Sequence, residues 1–195
     1  MRYHKTVRLS DGRECVLRNG TEEDAPAALD NFMLVHEQTD WLLTYPDETD
    51  PSEIAEACYL QAKTASPNEV EILAEVGGLV VGTAGIDCVG SKEKTRHRAE
   101  FGISIDRAYW GLGIGRALTR ACVACAREAG YAQLELSVVA ENGRAIALYR
   151  SEGFVEYGRN PRGFRSRVTG WQELVLMRLE LDSRADSRAD AHLDA

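Results

Sequence analysis

The chain has 195 residues, 44% of them apolar, which suffices for one globular domain with a sizeable core. Its 31 acidic against 23 basic side chains give a formal net charge of −8. That balance argues against a general nucleic-acid binder, which needs a basic face to displace counterions, and suits a cationic partner better. No run of about 18 apolar residues reads as a membrane span and no secretory leader is evident, so the expectation is a cytoplasmic protein without membrane attachment.

Residues 6–9 and 14–18 read as two short strands around the hairpin signal Asp11-Gly12. Thr21, followed by Glu22, Glu23 and Asp24, reads as the cap and acidic first turn of a helix to about residue 37. Ser52, after Pro51, caps a second helix to about residue 64. Between them, residues 39–50 are both aromatic and acidic (TDWLLTYPDETD). Residues 69–76 and 79–87 form an apolar hairpin across Gly77-Gly78 and belong at the centre of an antiparallel sheet. A polar loop, 89–97, leads to a further strand at 99–105.

The next segment, ISIDRAYWGLGIGRAL from Ile103 to Leu118, is the most informative. An apolar strand and a short turn deliver Gly111, Gly113 and Gly115 to the mouth of a helix that begins about Ile114 and runs to about residue 129. Residues without Cβ let an anion approach the main chain closely, and the start of a helix presents free N–H groups and positive potential. A phosphate or pyrophosphate suits that place. A dinucleotide fingerprint would need glycine at 116, where Arg116 stands, and a Walker A loop would need Gly-Lys-Ser/Thr. Taken alone, the same glycines also fit a tight strand-to-helix turn.

A strand at 132–139, a helix from Asn142 to about residue 151, a strand at 154–158 and a last strand at 173–179 complete the pattern. Strands followed by alternating strands and helices imply a mixed sheet flanked by helices. Residues 159–170 read as a loop carrying Arg159, Arg162, Arg165 and Arg167 with Phe164 among them. The repeat DSRADSRAD has no apolar face, so residues 182–195 are expected to be a disordered tail beyond a single domain at 1–181. Cys15, Cys58 and Cys88 are scattered, while Cys122 and Cys125 lie one turn apart in a helix. They read as small apolar residues in a reducing compartment, with no metal site.

The segments AEFGISI, WGLGIGRAL, NGRAIALY and EGF, in this order and spacing between Arg98 and about Tyr157, resemble the GNAT N-acetyltransferase superfamily. The resemblance implies an α/β fold of the α+β type. Its mixed, mostly antiparallel sheet would have six to seven strands, the family's fourth and fifth (here 99–105 and 132–139) splayed apart, with about four flanking helices. It also implies an acetyl-CoA-dependent N-acetyltransferase, acting by direct attack of a primary amine through a tetrahedral intermediate. Acetyl-CoA would be the acyl-donor cosubstrate, with no metal, and the acceptor a small amine or a protein amino group. In that fold the pantetheine arm pairs with the strand edge at Ile103, Ser104 and Ile105, much as an added strand would. The main chain of Gly111, Leu112, Gly113, Ile114, Gly115 and Arg116 would hold the pyrophosphate. This chain has Trp110 where the family usually has Arg or Gln.

Acetyl transfer needs a neutral amine, donors for the oxyanion and a proton for the departing thiolate. Tyr149, seven residues after Asn142, occupies the family position that commonly supplies that proton; a core aromatic is the alternative. Asn142 either caps its helix or binds the pantetheine. Glu100 is the first candidate base, with Glu135 and His97 behind it. Protein N-terminal acetylases of the superfamily commonly carry a glutamate five residues before the asparagine, but here Ser137 stands there and cannot do a carboxylate's work. Acceptor specificity is expected from the two early helices and from 159–170. The basic loop and the acidic 39–50 segment point to acceptors of opposite charge. The other reading is a non-catalytic acyl-CoA-binding regulatory module. Trp171 beside the last strand is a candidate homodimer surface.

Overall fold

A computed structural model describes residues 1–49 and 51–181, so the expected tail at 182–195 lies outside the described residues. In chain order the elements are β1 (His4–Arg8), β2 (Glu14–Asn19), α1 (Ala25–Gln38), α2 (Glu53–Ala65), β3 (Val70–Val76), β4 (Leu79–Cys88) and β5 (Arg98–Ile105). They continue with α3 (Ile114–Glu128), β6 (Gln133–Val139), α4 (Gly143–Ser151), β7 (Val155–Ser166) and β8 (Gly170–Glu180). The strands form one eight-stranded sheet in the order β1-β2-β3-β4-β5-β6-β8-β7. The N-terminal hairpin is continuous with it through β2 and β3. Every pairing is antiparallel except β5 with β6.

Local chemistry accounts for most boundaries. Gly77 and Gly78 both have positive φ, 61° and 83°, the backbone that a two-residue hairpin needs to match strand twist. The Ser52 hydroxyl accepts the Ala55 N–H at 3.2 Å and starts α2. Arg18 on β2 forks onto Asp24 at 2.7 Å through both terminal nitrogens, fastening the entry of α1 to the sheet.

The two faces of the sheet are packed unequally. On one, Ile114, Leu118, Ala121, Cys122 and Cys125 of α3 form a buried stripe at helical spacing against Ile72, Ala84, Ile86 and Phe101. Both cysteines of the C-x-x-C pair belong to this stripe. Truncating the fully buried Leu118 to alanine costs about 2–5 kcal/mol. On the other face, under α1 and α2, the apolar cluster is Ala28, Leu60 and Leu73.

The expected loop at 159–170 is corrected by the structure. β7 continues to Ser166 and β8 begins at Gly170, so most of that segment is a paired ribbon with Phe164 opposite Gln172 and Arg165 opposite Trp171. β7 is exposed along most of its length and carries few apolar residues, so its sequence shows no alternation of polarity. Its ladder is irregular between Asn160 and Phe164, around Pro161, which has no N–H to donate.

Candidate active site

β5 and β6 are laddered only where Arg98, Ala99 and Glu100 oppose Gln133, Leu134 and Glu135. Beyond that point β5 stays paired with β4 as far as Ile105, and β6 stays paired with β8 as far as Val139. The sheet therefore opens between two strands that each keep their other neighbour. The rings of Phe101, Tyr149 and Phe154 meet where the ladder ends, at centroid distances of 5.9–6.3 Å. The resulting cleft has a volume of about 660 Å³, with Ile103, Ser104 and Ile105 on one side and Leu136, Ser137 and Val138 on the other.

At the open end of the cleft lies the glycine turn. Gly111 and Gly113 have φ of 84° and 98°, and Gly113 is the N-cap of α3 with no side chain to satisfy the helix's first N–H groups. Those groups and the helix's positive end face the cleft, whose lining includes Gly113, Ile114, Gly115 and Arg116. A Cβ at Gly115 would stand 3.2 Å from Leu148 and 3.4 Å from Ile105, so glycine also sets the approach of α3 to its neighbours. Leu112 departs from its neighbours: it packs against the core, and its carbonyl accepts the Ser10 N–H at 3.1 Å. The turn is thereby tied to the β1–β2 hairpin. This donor set and the absence of Cβ atoms fit a pyrophosphate.

Two arginines stand near the turn. Arg116 pairs with Glu152 at 3.0 Å on the α4 side. Arg144, which no signal in the sequence singles out, lines the cleft with its guanidinium 5.3 Å from the Trp110 ring. Its Nη2 lies 3.5 Å from where a Cβ on Gly111 would be. Trp110 itself lines the cleft and donates its indole N–H to the Ile105 carbonyl at 2.8 Å. The last acceptor of β5 is thus already occupied. Trp110 also stacks with Trp41 at 6.2 Å and 9°.

The candidate acid and bases separate clearly. Tyr149 is buried, packs edge-on against Phe101, lines the cleft, and its hydroxyl makes no hydrogen bond among the described residues. Desolvation pushes its phenol above the ordinary value. Asn142 caps α4 by accepting the Ala145 N–H at 3.1 Å, and it also lines the cleft. Glu100 is exposed at the vertex of the splay and lines the cleft beside Asp87. Glu135 is corrected as a candidate base: it is buried, bound by Arg98 through two nitrogens and by Gln133 at 3.0 Å, and is absent from the cleft lining. His97 is also set apart, exposed on the loop before β5 and outside the lining.

Another part of the cleft is walled by Trp41, Leu42 and Leu43. The tip of the β7–β8 ribbon grips this segment from both ends. Ser166 and Thr169 donate to Asp40, while the Arg167 backbone N–H donates to the Tyr45 hydroxyl at 2.8 Å and its guanidinium pairs with Asp47. The acidic and basic signals of the sequence therefore meet each other. The other arginines are engaged locally: Arg159 with Glu156 and Glu173, Arg162 and Arg165 over the Trp171 ring.

No helix among the described residues is long and apolar enough to cross a membrane. Among the described residues no group of three or more His, Cys, Asp or Glu side chains could hold a metal ion. A search of known proteins places the chain beside an N-alpha-acetyltransferase RimI of Mycobacterium tuberculosis, 41% identical over 101 residues, which are 52% of this chain and 61% of that protein. An L-amino acid N-acyltransferase MnaT of Escherichia coli is 27% identical over 67% of this chain and 75% of its own length. A Salmonella typhimurium acetyltransferase structure with acetyl-CoA superposes with a TM-score of 0.77 at 23% identity, over 90% of this chain and 98% of its own. The sequence model of the Acetyltransferase (GNAT) family matches residues 33–154, and with the splayed strands and glycine turn in place the chain belongs to that family.

Proposed function

We propose that, as an acetyl-CoA-dependent N-acetyltransferase of this family, the protein moves an acetyl group to the primary amine of a small acceptor. The observation that carries the reading is the parting of β5 from β6 directly ahead of the uncapped, glycine-lined start of α3. An unpaired strand edge accepts amide-bearing chains, and a bare helix start accepts phosphates, at the two ends of one cleft. The bound coenzyme supplies an acyl group activated as a thioester.

The chain's own residues divide the remaining work. The edge from Ile103 to Ile105 orients the arm, and the main chain of Gly111, Gly113, Ile114, Gly115 and Arg116 binds the pyrophosphate with Arg144 adding charge. Asn142 keeps α4 in place, so that the Tyr149 hydroxyl holds its proton at the cleft for the departing sulfur. Glu100, open to solvent, takes the proton released by the attacking amine. Bracing of Trp41–Leu43 by the ribbon narrows the acceptor side and supports a small amine over a protein backbone. A cytoplasmic location and pairing of two copies near Trp171 belong to the same reading, the latter checked by light scattering.

Free thiol released from acetyl-CoA, measured against monoamines, diamines, amino acids and peptides, tests the activity. Amine-dependent release is expected. Tight acetyl-CoA binding with no release from any acceptor would favour a non-catalytic binding module instead.

A further inference from the structure

On the face of the sheet beneath α1 and α2, Glu71 of β3 opposes Gly85 of β4, and Gly85 opposes Gly102 of β5. One row along, Thr83 opposes Ser104. Two glycines in one row leave a trough across the sheet surface. The Glu71 carboxylate lies in it, where a Cβ on Gly85 would collide with Oε2, while a Cβ on Gly102 would meet nothing within 4 Å. Above the trough is a second cavity of about 330 Å³, lined in part by Asn31, Glu56, Tyr59, Glu71, Thr83 and Ser104. Ser104 also lines the acetyl-transfer cleft, so the two spaces adjoin across β5.

The cavity is rich in acceptors and short of charge to balance them. Asn31 is 3% exposed; its Nδ2 donates to the Val80 carbonyl at 3.4 Å, which sets the amide's orientation and leaves Oδ1 without a partner. Glu71 Oε2 receives a neutral hydroxyl from Tyr59 at 3.1 Å. Desolvation raises the carboxyls of Glu56 and Glu71, the latter to about 7. The neighbouring cation, Lys63, is hydrogen-bonded to Asp87 and to the Ile86 carbonyl and acts on Glu71 only through space, too weakly to offset its desolvation. A ligand ammonium offers several N–H donors and one positive charge, which answers both shortages.

We propose, resting on the acetyl-transfer reading, that this cavity holds the second, unreacting ammonium of a diamine acceptor whose other amino group is acetylated at the splay. The Glu71 carboxylate already lies over β4, so one to one and a half strand spacings, about 5–7 Å, separate it from the gap beyond β5. An aliphatic chain crosses that distance over Gly102, where no side chain stands in the way.

Calorimetry with CoA present, using cadaverine and pentylamine as probes, tests the subsite. The wild-type protein is expected to bind the diamine at least about tenfold more tightly, and Glu71→Gln and Asn31→Leu to abolish that preference while melting temperature and CoA affinity report an intact fold. Equal binding of the two amines, or a preference that survives Glu71→Gln, overturns the proposal. So does Glu71-dependent binding of cadaverine that alters turnover of another amine without cadaverine itself being acetylated, which would make the cavity a regulatory site. Failure of every amine to release thiol counts against the acetyl-transfer reading, whereas loss of the diamine preference alone counts only against the subsite.

Discussion

The guanidinium of Arg167 lies 4.1 Å from the centre of the Tyr45 ring and pairs with Asp47, joining segments 120 residues apart in the chain. Both charged groups are exposed, so their pairing adds little to stability in water. Its effect is positional, because Trp41, Leu42 and Leu43 hang between the Asp40 and Tyr45 attachments. Arg167→Ala is expected to leave the melting temperature nearly unchanged and to raise the acceptor KM several-fold at constant coenzyme KM. Steady-state kinetics with each substrate varied in turn would reveal the opposite pattern, a coenzyme effect, if the ribbon braced the wrong side.

Removing only the hydroxyl of Tyr149 should separate chemistry from packing. Tyr149→Phe keeps the contacts with Phe101 and Phe154, and the hydroxyl has no partner to lose among the described residues. Stability should change by less than about 1 kcal/mol, while kcat falls roughly 10²-fold. Full activity in the phenylalanine variant, at unchanged coenzyme affinity, would assign the proton to another donor.

Gly113→Ala places a side chain at φ 98°, where nothing crowds it but the backbone is strained by about 1–3 kcal/mol. The turn should relax and the first N–H groups of α3 lose their aim. Coenzyme affinity is expected to fall about tenfold or more, read by calorimetry with CoA, with the acceptor KM little affected.

Acid sensitivity is expected at the start of α1. The Arg18 guanidinium and the Thr21 N–H and hydroxyl hold the Asp24 carboxyl at about 2, against an ordinary 3.8. Below 3.8 the unfolded chain binds the extra proton first, so Asp24's stabilising contribution is complete above that value and is lost as pH falls toward about 2. Asp24→Asn should therefore lower stability at neutral pH and flatten the decline between about pH 4 and pH 2. Urea melts across that range measure both effects.

Much of this was legible in the sequence because the signals are local. Ser52, Gly77-Gly78, Asn142 and the Gly111–Gly115 turn each act within a few residues of their own position, and each takes the cap or turn geometry that its residues favour. The cysteine pair was legible for the same reason, since Cys122 and Cys125 fall on the apolar stripe of α3. What escaped depends on partners far away in the chain. Glu135 reads as a candidate base in the sequence, but the fold binds it to Arg98, and nothing local marks Arg144, which the turn sets against Gly111 and Trp110. The arginines of β7 resembled a loop because that strand is exposed along most of its length and has few apolar positions to show an alternation. Their stacking on Trp171 and their reach to Asp47 are set by the hairpin as a whole.

The backbone ladder between β5 and β6 stops at Glu100, and from there inward the two halves of the sheet are stitched by rings rather than by amides. Phe101 contributes from one half, Phe154 introduces the strand pair of the other, and Tyr149 on α4 is the thread between them. The proposed proton donor is therefore also a seam. Any substitution that shrinks its ring loosens the molecule along the line where the coenzyme would lie, so a truncation to alanine blends a folding defect with a chemical one. Engineering of the site should begin at the walls, where Trp41 and Arg144 line the cleft and can change without parting the sheet.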